Sequence, residues 1–428
     1  MRYKTVTEWL TWQESLNPKE IELGLDRVNQ VKQYLDLEHL GFTVITVAGT
    51  NGKGSSIAIM SSILNFAGYR VGTYTSPHLI RYNERITING QEISDQELCC
   101  VFDLVDQARG DIPLTYFEFG TLAALVFFKK MAKLDVVLLE VGLGGRLDAV
   151  NAFEPDITLI TTIDIDHTDW LGDTRESIAK EKAGILRKNI PLVYNELNPP
   201  QSLLREVERL GVNAYYYGVD YKYEKESNGW TWTGPDNIYT NLVNPSLMGE
   251  VQYLNASGVL MVLALLNDKF VVSPQVLNLG LKKLDLAGRY QLIHQKYDHI
   301  FDVAHNVQSA AQLAKTLSQD KCNGRTHAIF AMLGDKDMTG VISEMKSEID
   351  LWHVPQLNAH RAASVTTITE VISTIVSRGT IITAHASVNE TYRQVLRSMQ
   401  ENDRMVIFGS FYVVASVLAI LQEKNILH

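Results

Sequence analysis

The chain has 428 residues, more than one hydrophobic core usually accommodates, so two domains are expected. Apolar residues make up 46% of it, an ordinary globular share, and the net charge of −10 excludes a general electrostatic attraction to nucleic acid or anionic lipid. Cys99, Cys100 and Cys322 fit neither a metal-finger spacing nor a disulfide framework, and they read as thiols of a reducing compartment. The N-terminal MRYKTVTEWLTWQESL lacks the apolar core of a signal peptide, and the apolar stretches at 122–130 and 411–421 are too short to span a bilayer. A cytoplasmic protein with no membrane or nucleic-acid partner is expected.

In chain order, 1–40 reads as helices with apolar residues at three- and four-residue spacing. FTVITVAG (42–49) is a short buried strand, followed by a glycine-rich turn, a helix closed by Gly68, and a strand at 70–76. That order opens a parallel α/β sheet. A helix over 116–133, strands at 134–142 and 156–163, a helix over 175–186 and a strand at 191–195 continue it. Residues 211–247, rich in Tyr, Asn and Trp, read as a small β elaboration outside the core, and 251–267 returns to helix. The fold class is α/β: a P-loop parallel-sheet, ATPase-like domain over 1–285, a connection over 286–296, and a smaller Rossmann-like α/β domain over 297–428. The second domain is expected to hold strands at 299–306, 326–333, 380–387 and 403–410, the first ending in polar residues.

AGTNGKGSS (48–56) carries the strongest chemical signal. Gly49, Gly52 and Gly54 permit a tight turn with inward N–H groups, the helix after it adds its positive end, and Lys53 supplies a point charge. Ser55 and Ser56 are placed to reach phosphate oxygens or a magnesium ion. The spacing G-x-x-G-K-G-S is shorter than the common Walker run. In LLEVGLGGRLDAVN (138–151), Glu140 ends an apolar strand, where a carboxylate is costly unless it is paired or bound to a cation. TTIDIDHTDWLG (161–172) crowds Asp164, Asp166, His167 and Asp169 together; as magnesium ligands the aspartates rank above His167 on chemistry alone. Lys180 and Lys182 read as a solvated helix face. Ser76 follows a strand with its hydroxyl in reach of a metal. Charge gathers at the turns of AGRYQ, FDVAHN and MLGDKD. Serine-hydrolase and protein-kinase motifs are absent.

These runs, with YTSPHLIRYNERI, LTYFEFGTLAAL, EKAGI and FGSF, resemble the bacterial bifunctional dihydrofolate synthase/folylpolyglutamate synthase family, relatives of the Mur amino-acid ligases, over nearly the whole chain. The resemblance implies ATP binding by Gly49, Thr50, Asn51, Gly52, Lys53, Gly54, Ser55 and Ser56, with Gln252, Asn255, Arg289, Asp302 and His305 at the domain junction. It implies Ser76, Glu140 and His167 as magnesium ligands, which reverses the ranking of the aspartates. Lys182 resembles the lysine that members carry as a carbamate, a carboxylated amine that helps organise the metal and the acyl phosphate, and the implied cofactors leave room for a second divalent ion. Thr115, Phe117, Arg146, Asp148 and Ala149 resemble the wall of a pterin pocket. The implied catalytic residues are Lys53, Lys182 and His167, and the second domain becomes a glutamate-ligase domain.

The implied activity is ATP-dependent addition of L-glutamate to dihydropteroate, and of further glutamates to reduced folates, through an acyl phosphate in a monomeric enzyme. A monofunctional folylpolyglutamate synthase, another Mur-type ligase and a non-catalytic nucleotide-binding module remain as alternatives. This chain departs from the family's common DATN and DVAHNPH runs by carrying Val150, Val307 and Gln308.

Overall fold

The run at 42–49 forms the strand Thr43–Ala48, buried along its whole length. Both of its faces are covered, which is why its sequence is continuously apolar. Val44 and Ala48 enter one core and Ile45 and Val47 the other. The computed structural model describes residues 1–423 apart from Glu20, Ala132, Asp285 and His360. The expected end of the first domain at Asp285, part of the expected 116–133 helix, and the last residues of the second domain lie outside the described residues.

The strand sits inside an eight-stranded sheet. From one edge the order is Gln91–Glu92, Ile86–Ile88, Val71–Tyr74, Val136–Glu140, Thr43–Ala48, Ile157–Ile160, Leu192–Tyr194 and Ala214–Tyr216. Only the pairings made by Ile86–Ile88 are antiparallel. Thr43–Ala48 lies between Val136–Glu140 and Ile157–Ile160, so the carboxyl ends of these three strands open at one crevice. Helix Lys53–Phe66 leaves the first of them and packs on one face with Val251–Leu265 and Pro274–Lys282.

The Tyr- and Trp-rich segment corrects the expectation of a peripheral elaboration. Ala214–Tyr216 closes one edge of the main sheet, and Lys222–Glu226, Gly229–Thr233 and Ile238–Leu242 form a three-stranded antiparallel sheet. Alternation along Gly229–Thr233 sends Trp230 and Trp232 inward, where both are fully buried. Their indole N–H groups donate to Val243 O at 2.9 Å and Ser257 O at 3.1 Å, which makes the burial affordable. Helices Asp95–Arg109 and Gln201–Leu210 are absent from the elements read in the sequence, although Ser94 and Glu97 form a capping box at the start of the first.

The second sheet has six strands, in the order Gln291–His294, Asp298–Phe301, Arg404–Phe408, Thr326–Phe330, Leu351–Pro355 and Ile381–His385. All pair in parallel except the first, a hairpin partner of the second. Part of the expected 286–296 connection is therefore an edge strand. Helices cover both faces over two further cores. Among the described residues no helix is long and apolar enough to cross a membrane.

A row of buried imidazoles crosses this sheet. His327 stacks on His353 with centroids 5.5 Å apart and an interplanar angle of 5°, and His353 faces His385 at 5.7 Å. His327 Nε2 lies 3.1 Å from Asp403 Oδ2, and its Nδ1 lies 3.2 Å from His353 Nε2. Donation to Asp403 leaves His327 Nδ1 to accept from His353, so neutral forms suit the His327–His353 pair, while His353 Nδ1 and His385 Nε2 are buried without a partner among the described residues. Burial, with the neighbouring imidazoles, brings His353 down to about 4, and burial also lowers His327 and His385. An unfolded histidine titrates near ~6.5, so between that value and the folded one the unfolded chain binds more protons. The stability contributed by the neutral row is full above ~6.5 and declines as pH falls through this window. The melting temperature is expected to drop on going from pH 7.5 to pH 5, and less steeply in His353→Leu. Equal slopes in the two proteins, followed by circular dichroism, would remove the row as the cause.

Candidate active site

Where Thr43–Ala48 ends, the chain turns through Gly49 (φ +150°) and Gly52 (φ +86°) before helix Lys53–Phe66 begins. A methyl group on Gly49 would lie 1.8 Å from Thr161 Oγ1, and one on Gly52 would lie 2.6 Å from Asn255 Oδ1. Glycine is thus required here by backbone angle and by contact. Thr161 Oγ1 donates to Asn51 O at 2.6 Å, Thr50 N donates to Thr162 O at 2.7 Å, and Thr50 Oγ1 donates to Asp164 O at 3.0 Å. The loop is pinned to the end of the neighbouring strand, and the first-turn N–H groups of its helix point out of the sheet.

Lys53 Nζ folds over this loop and donates to Gly49 O at 2.9 Å and Thr50 O at 3.2 Å. Burial lowers its pKa, against the attraction of Glu140 and Asp166. Glu140, in register with Val47, ends its strand with a buried carboxylate that accepts from Ser76 N at 3.0 Å. Burial raises its pKa; Lys53, the Ser76 N–H, Arg289 and Arg85 act in the other direction. A methyl group on Gly54 would sit 3.7 Å from Arg289 Nη2 and 3.8 Å from Glu140 Oε2, which places both groups beside the helix start. Ser55 and Ser56 are buried in that first turn.

Arg289 reaches this point from the second lobe, with its guanidinium 5.4 Å from the Phe411 ring centroid. Burial lowers its pKa, opposed by Asp302 and Glu140. Asp302 accepts from Tyr290 N at 2.9 Å and Ala304 N at 2.8 Å, so its carboxylate shapes the turn that presents Arg289. Gln252 and Asn255 are buried and paired, the Asn255 amide donating to Gln252 Oε1 at 2.9 Å. His305 hydrogen-bonds Val303 O through Nδ1 and turns Nε2 to within 3.4 Å of Asp166 Oδ2.

His167 caps a short helix in the left-handed region (φ +53°), with Nε2 3.9 Å from Asp166 Oδ2. Burial brings it to about 4, so its ring is neutral at pH 7 and free to offer a lone pair. Asp166 faces the second lobe: it accepts from Lys336 Nζ and from Asn306 Nδ2 at 3.2 Å. Burial opposes its charge, but the hydrogen bond from His305, His167 once protonated in acid, and the charge of Lys336 hold it well below the usual carboxylate range. Asp166 is thereby occupied by the protein, whereas Glu140 keeps acceptor capacity directed at the loop. Among the described residues no group of three His, Cys, Asp or Glu side chains is arranged to hold a metal ion by itself. Glu140 and His167, if they held a cation, would need further oxygens, from the Ser76 hydroxyl and from a ligand, to complete its shell. A buried carboxylate with one hydrogen-bond donor among the described residues, Ser76 N, and a neutral imidazole in the segment after Ile157–Ile160 fit that use.

Lys180 and Lys182 separate. Two positions apart on a helix point in opposed directions; Lys180 is exposed and Lys182 is only 4% exposed. The solvated-face reading is corrected for Lys182, which makes no hydrogen bond or ion pair among the described residues. Burial and the charge of Lys53 bring its amine to about 7, against Asp166 and Asp148.

Of the residues expected at a pterin wall, Thr115, Asp148 and Ala149 are buried, Phe117 is partly buried and Arg146 is not. Phe117 lies against Gly142, where a methyl group would be 2.5 Å from its Cζ, and 5.8 Å from the Tyr74 ring. Thr115 and Ala149 are buried nearby. Asp148 accepts from Leu143 N at 2.8 Å and Val150 N at 3.0 Å, and burial raises it to about 7 despite those bonds. Arg146 turns away, half exposed, to Glu181 at 2.9 Å. Beside His167 a cavity of about 380 Å³ opens between the lobes, with Lys19, Trp170, Asp335 and Arg361 in its wall.

Residues 47–263 match the Mur ligase middle domain and 288–411 the Mur ligase glutamate ligase domain. The chain belongs to the dihydrofolate synthase/folylpolyglutamate synthase family of Mur ligases. Within that family, a relative from Haemophilus influenzae is 40% identical over 97% of this chain and 98% of its own length. One from Escherichia coli K12 is 38% identical over 98% and 96%. The solved structure of E. coli FolC in complex with DHPP and ADP aligns with a TM-score of 0.92 at 37% identity over 99% of both chains. The Yersinia pestis bifunctional enzyme complexed with AMPPNP and Mn ion aligns at 0.90 and 41%, over 98% of both.

The departures from the common family runs differ in kind. Val150 is fully buried in the main core, so packing takes the place of a hydroxyl. Gln308 lies at the lobe junction and accepts from Asn51. Sequence reasoning missed Asn306, Gln308 and Lys336 as partners of the first lobe; the charged turn MLGDKD was the one signal for Lys336. Replacing Lys53 by Ala is expected to cut turnover by roughly 10²–10³-fold, the scale of losing one preorganised charge at the reacting group. ADP release by a variant with unchanged melting temperature measures it, and retained turnover would remove Lys53 from the phosphate site.

Proposed function

We propose that the chain joins L-glutamate to dihydropteroate, and further glutamates to reduced folates, with ATP as the activating reagent. The observation that carries this reading is the meeting of Lys53, Glu140 and Arg289 at the start of one helix, where two α/β sheets face each other. A phosphate chain laid on the loop 49–56 would be held by backbone N–H groups from the first lobe and by Arg289 from the second. The buried wall around Phe117, Thr115 and Asp148 suits a flat, hydrogen-bonding heterocycle. The cavity beside His167 has Lys19, paired with Glu22, and Arg361, paired with Asp335, in its wall, and carboxylates of an incoming amino acid would compete for these cations.

A carboxylate reacts with an amine once its oxygen has become a leaving group. The substrate carboxylate attacks the γ-phosphorus, the bond to the β–γ bridging oxygen breaks, and ADP leaves an acyl phosphate. The glutamate amine then adds to the acyl carbon, and inorganic phosphate departs with the amide formed. Lys53 and Arg289 offset the charge that spreads over the phosphoryl oxygens in the first step. Ser76, Glu140 and His167 would hold magnesium, which supplies further positive charge to those oxygens when bound. Closure of the second lobe excludes water that would hydrolyse the acyl phosphate.

Lys182 has the state needed for a carbamate. Near neutrality a substantial part of an amine titrating at about 7 carries a lone pair, which adds to CO₂ with release of one proton. The product is an anion in a buried site beside Lys53, where it offsets positive charge and gives a second divalent ion a ligand. Both lobes come from one chain, so a cytoplasmic monomer contains the whole cleft.

Purified protein given ATP and glutamate should add one glutamate mass to dihydropteroate and extend tetrahydrofolate. Extension of tetrahydrofolate alone would make it a folylpolyglutamate synthase, and inactivity with both would overturn the proposal. Incubation with ¹³C-bicarbonate should give a carbamate carbon resonance that Lys182→Ala lacks; the same spectrum from both proteins would rule the carbamate out.

A further inference from the structure

We propose that Gln308 is a positioning residue that carries the placement of the second lobe to the phosphate loop by holding the side chain of Asn51. The inference rests on reading 49–56 as the nucleotide loop.

Asn51 is fixed from two directions. Its backbone belongs to the first lobe: its N–H donates to Thr162 Oγ1 at 3.2 Å and its carbonyl accepts from Thr161 Oγ1 at 2.6 Å. Its side chain belongs to the second lobe. Asn51 Nδ2 donates to Gln308 Oε1 at 2.6 Å and to Asn306 Oδ1 at 3.1 Å, and Asn51 Oδ1 accepts from Asn306 Nδ2 at 3.0 Å. The hydrogen-bonding capacity of this amide is met by the opposite lobe.

Asn306 is itself held in place. Asn306 caps helix Val307–Gln319 in a capping box with Ser309, and its Oδ1 also accepts from Ser309 N at 2.9 Å. That oxygen is shared, so Gln308 Oε1 is the shorter and less divided acceptor for Asn51. It also lies 3.3 Å from Thr162 Oγ1, the group that receives the Asn51 N–H. One amide oxygen thus touches the loop and its anchor together. The next residue, Gly52, holds the positive φ that starts the helix, so a tilt of Asn51 turns the N–H groups of that first turn. Asn306 also reaches Asp166, and the same turn therefore touches both sides of the crevice.

The test compares full-length wild type with Gln308→Met, which keeps side-chain length and removes the acceptor, and with Gln308→Ala. Hydrogen exchange is followed in the absence of nucleotide, and ADP affinity by titration calorimetry. In both variants the 49–56 segment is expected to exchange about tenfold faster, the effect of one neutral hydrogen bond at the upper end of its usual range. The strand Thr326–Phe330 should be unchanged. ADP should bind about tenfold more weakly, and KM for ATP should rise more than kcat falls. Asn51→Ala combined with Gln308→Met should be no worse than Asn51→Ala alone. Wild-type exchange at 49–56 in Gln308→Met, or full additivity in the double variant, would overturn the proposal. Failure of the wild type to bind ADP would count instead against the nucleotide reading, which the exchange arm does not depend on.

Discussion

Charge withdrawn from water at the seam between the sheets is the constraint on which the site depends. Lys53, Glu140, Arg289, Asp302 and Asp166 come from separate segments, and none is cheap to bury alone. Glu140 and Asp166 oppose the neutralisation of Lys53, and Arg289 offsets Glu140 and Asp302. Breaking one member would leave an uncompensated ion among the others, so the two lobes must meet for either half of the set to be tolerated. A phosphate chain adds negative charge where Lys53 and Arg289 already face a buried carboxylate. A divalent ion held there, as proposed, would relieve the conflict and tie nucleotide and metal together electrostatically.

The sheet topology supplies the location. Thr43–Ala48 and Val136–Glu140 run side by side, so the phosphate loop and Glu140 emerge at the same level. Ile157–Ile160 on the other flank brings Thr161 and Thr162 under the loop and, a few residues on, Asp166 and His167 to its mouth. Parallel pairing makes all three strands end together, so residues far apart in sequence become neighbours without any long loop having to place them.

Much of this was legible in the chain because the signals were local. A β-branched run ending in glycine, a lysine at a helix start and a carboxylate at the end of an apolar strand each carry their meaning within a few residues. What was not legible depended on direction or on the other lobe. Lys180 and Lys182 look alike in sequence, and only the helix's packing decides that one is solvated and the other buried. The aspartates outranked His167 as ligands on intrinsic chemistry, yet the fold commits Asp166 to Lys336, Asn306 and His305. Trp230 and Trp232 read as surface decoration because their segment is polar; alternation drives both indoles into the core. Arg146 carries charge in the expected pocket run but spends it on Glu181.

The buried amine of Lys182 and the buried carboxylate of Asp148 are both brought to about 7, the first from above and the second from below. Desolvation is the leading cause in each, so the same dry environment makes an amine nucleophilic and a carboxylate reluctant to ionise. Asp148 answers with backbone N–H donors and becomes part of the wall. Lys182 has no such donor or acceptor among the described residues, and its helix is held against the 143–148 loop by the hydrogen bond from Arg146 N to Glu181 O at 2.8 Å. An amine so placed relieves its burial either by losing a proton or by acquiring an anionic group that ions can pair with. The carbamate proposed above would do both, and would make the lysine's lack of a partner among the described residues a property of the site instead of a defect in the packing.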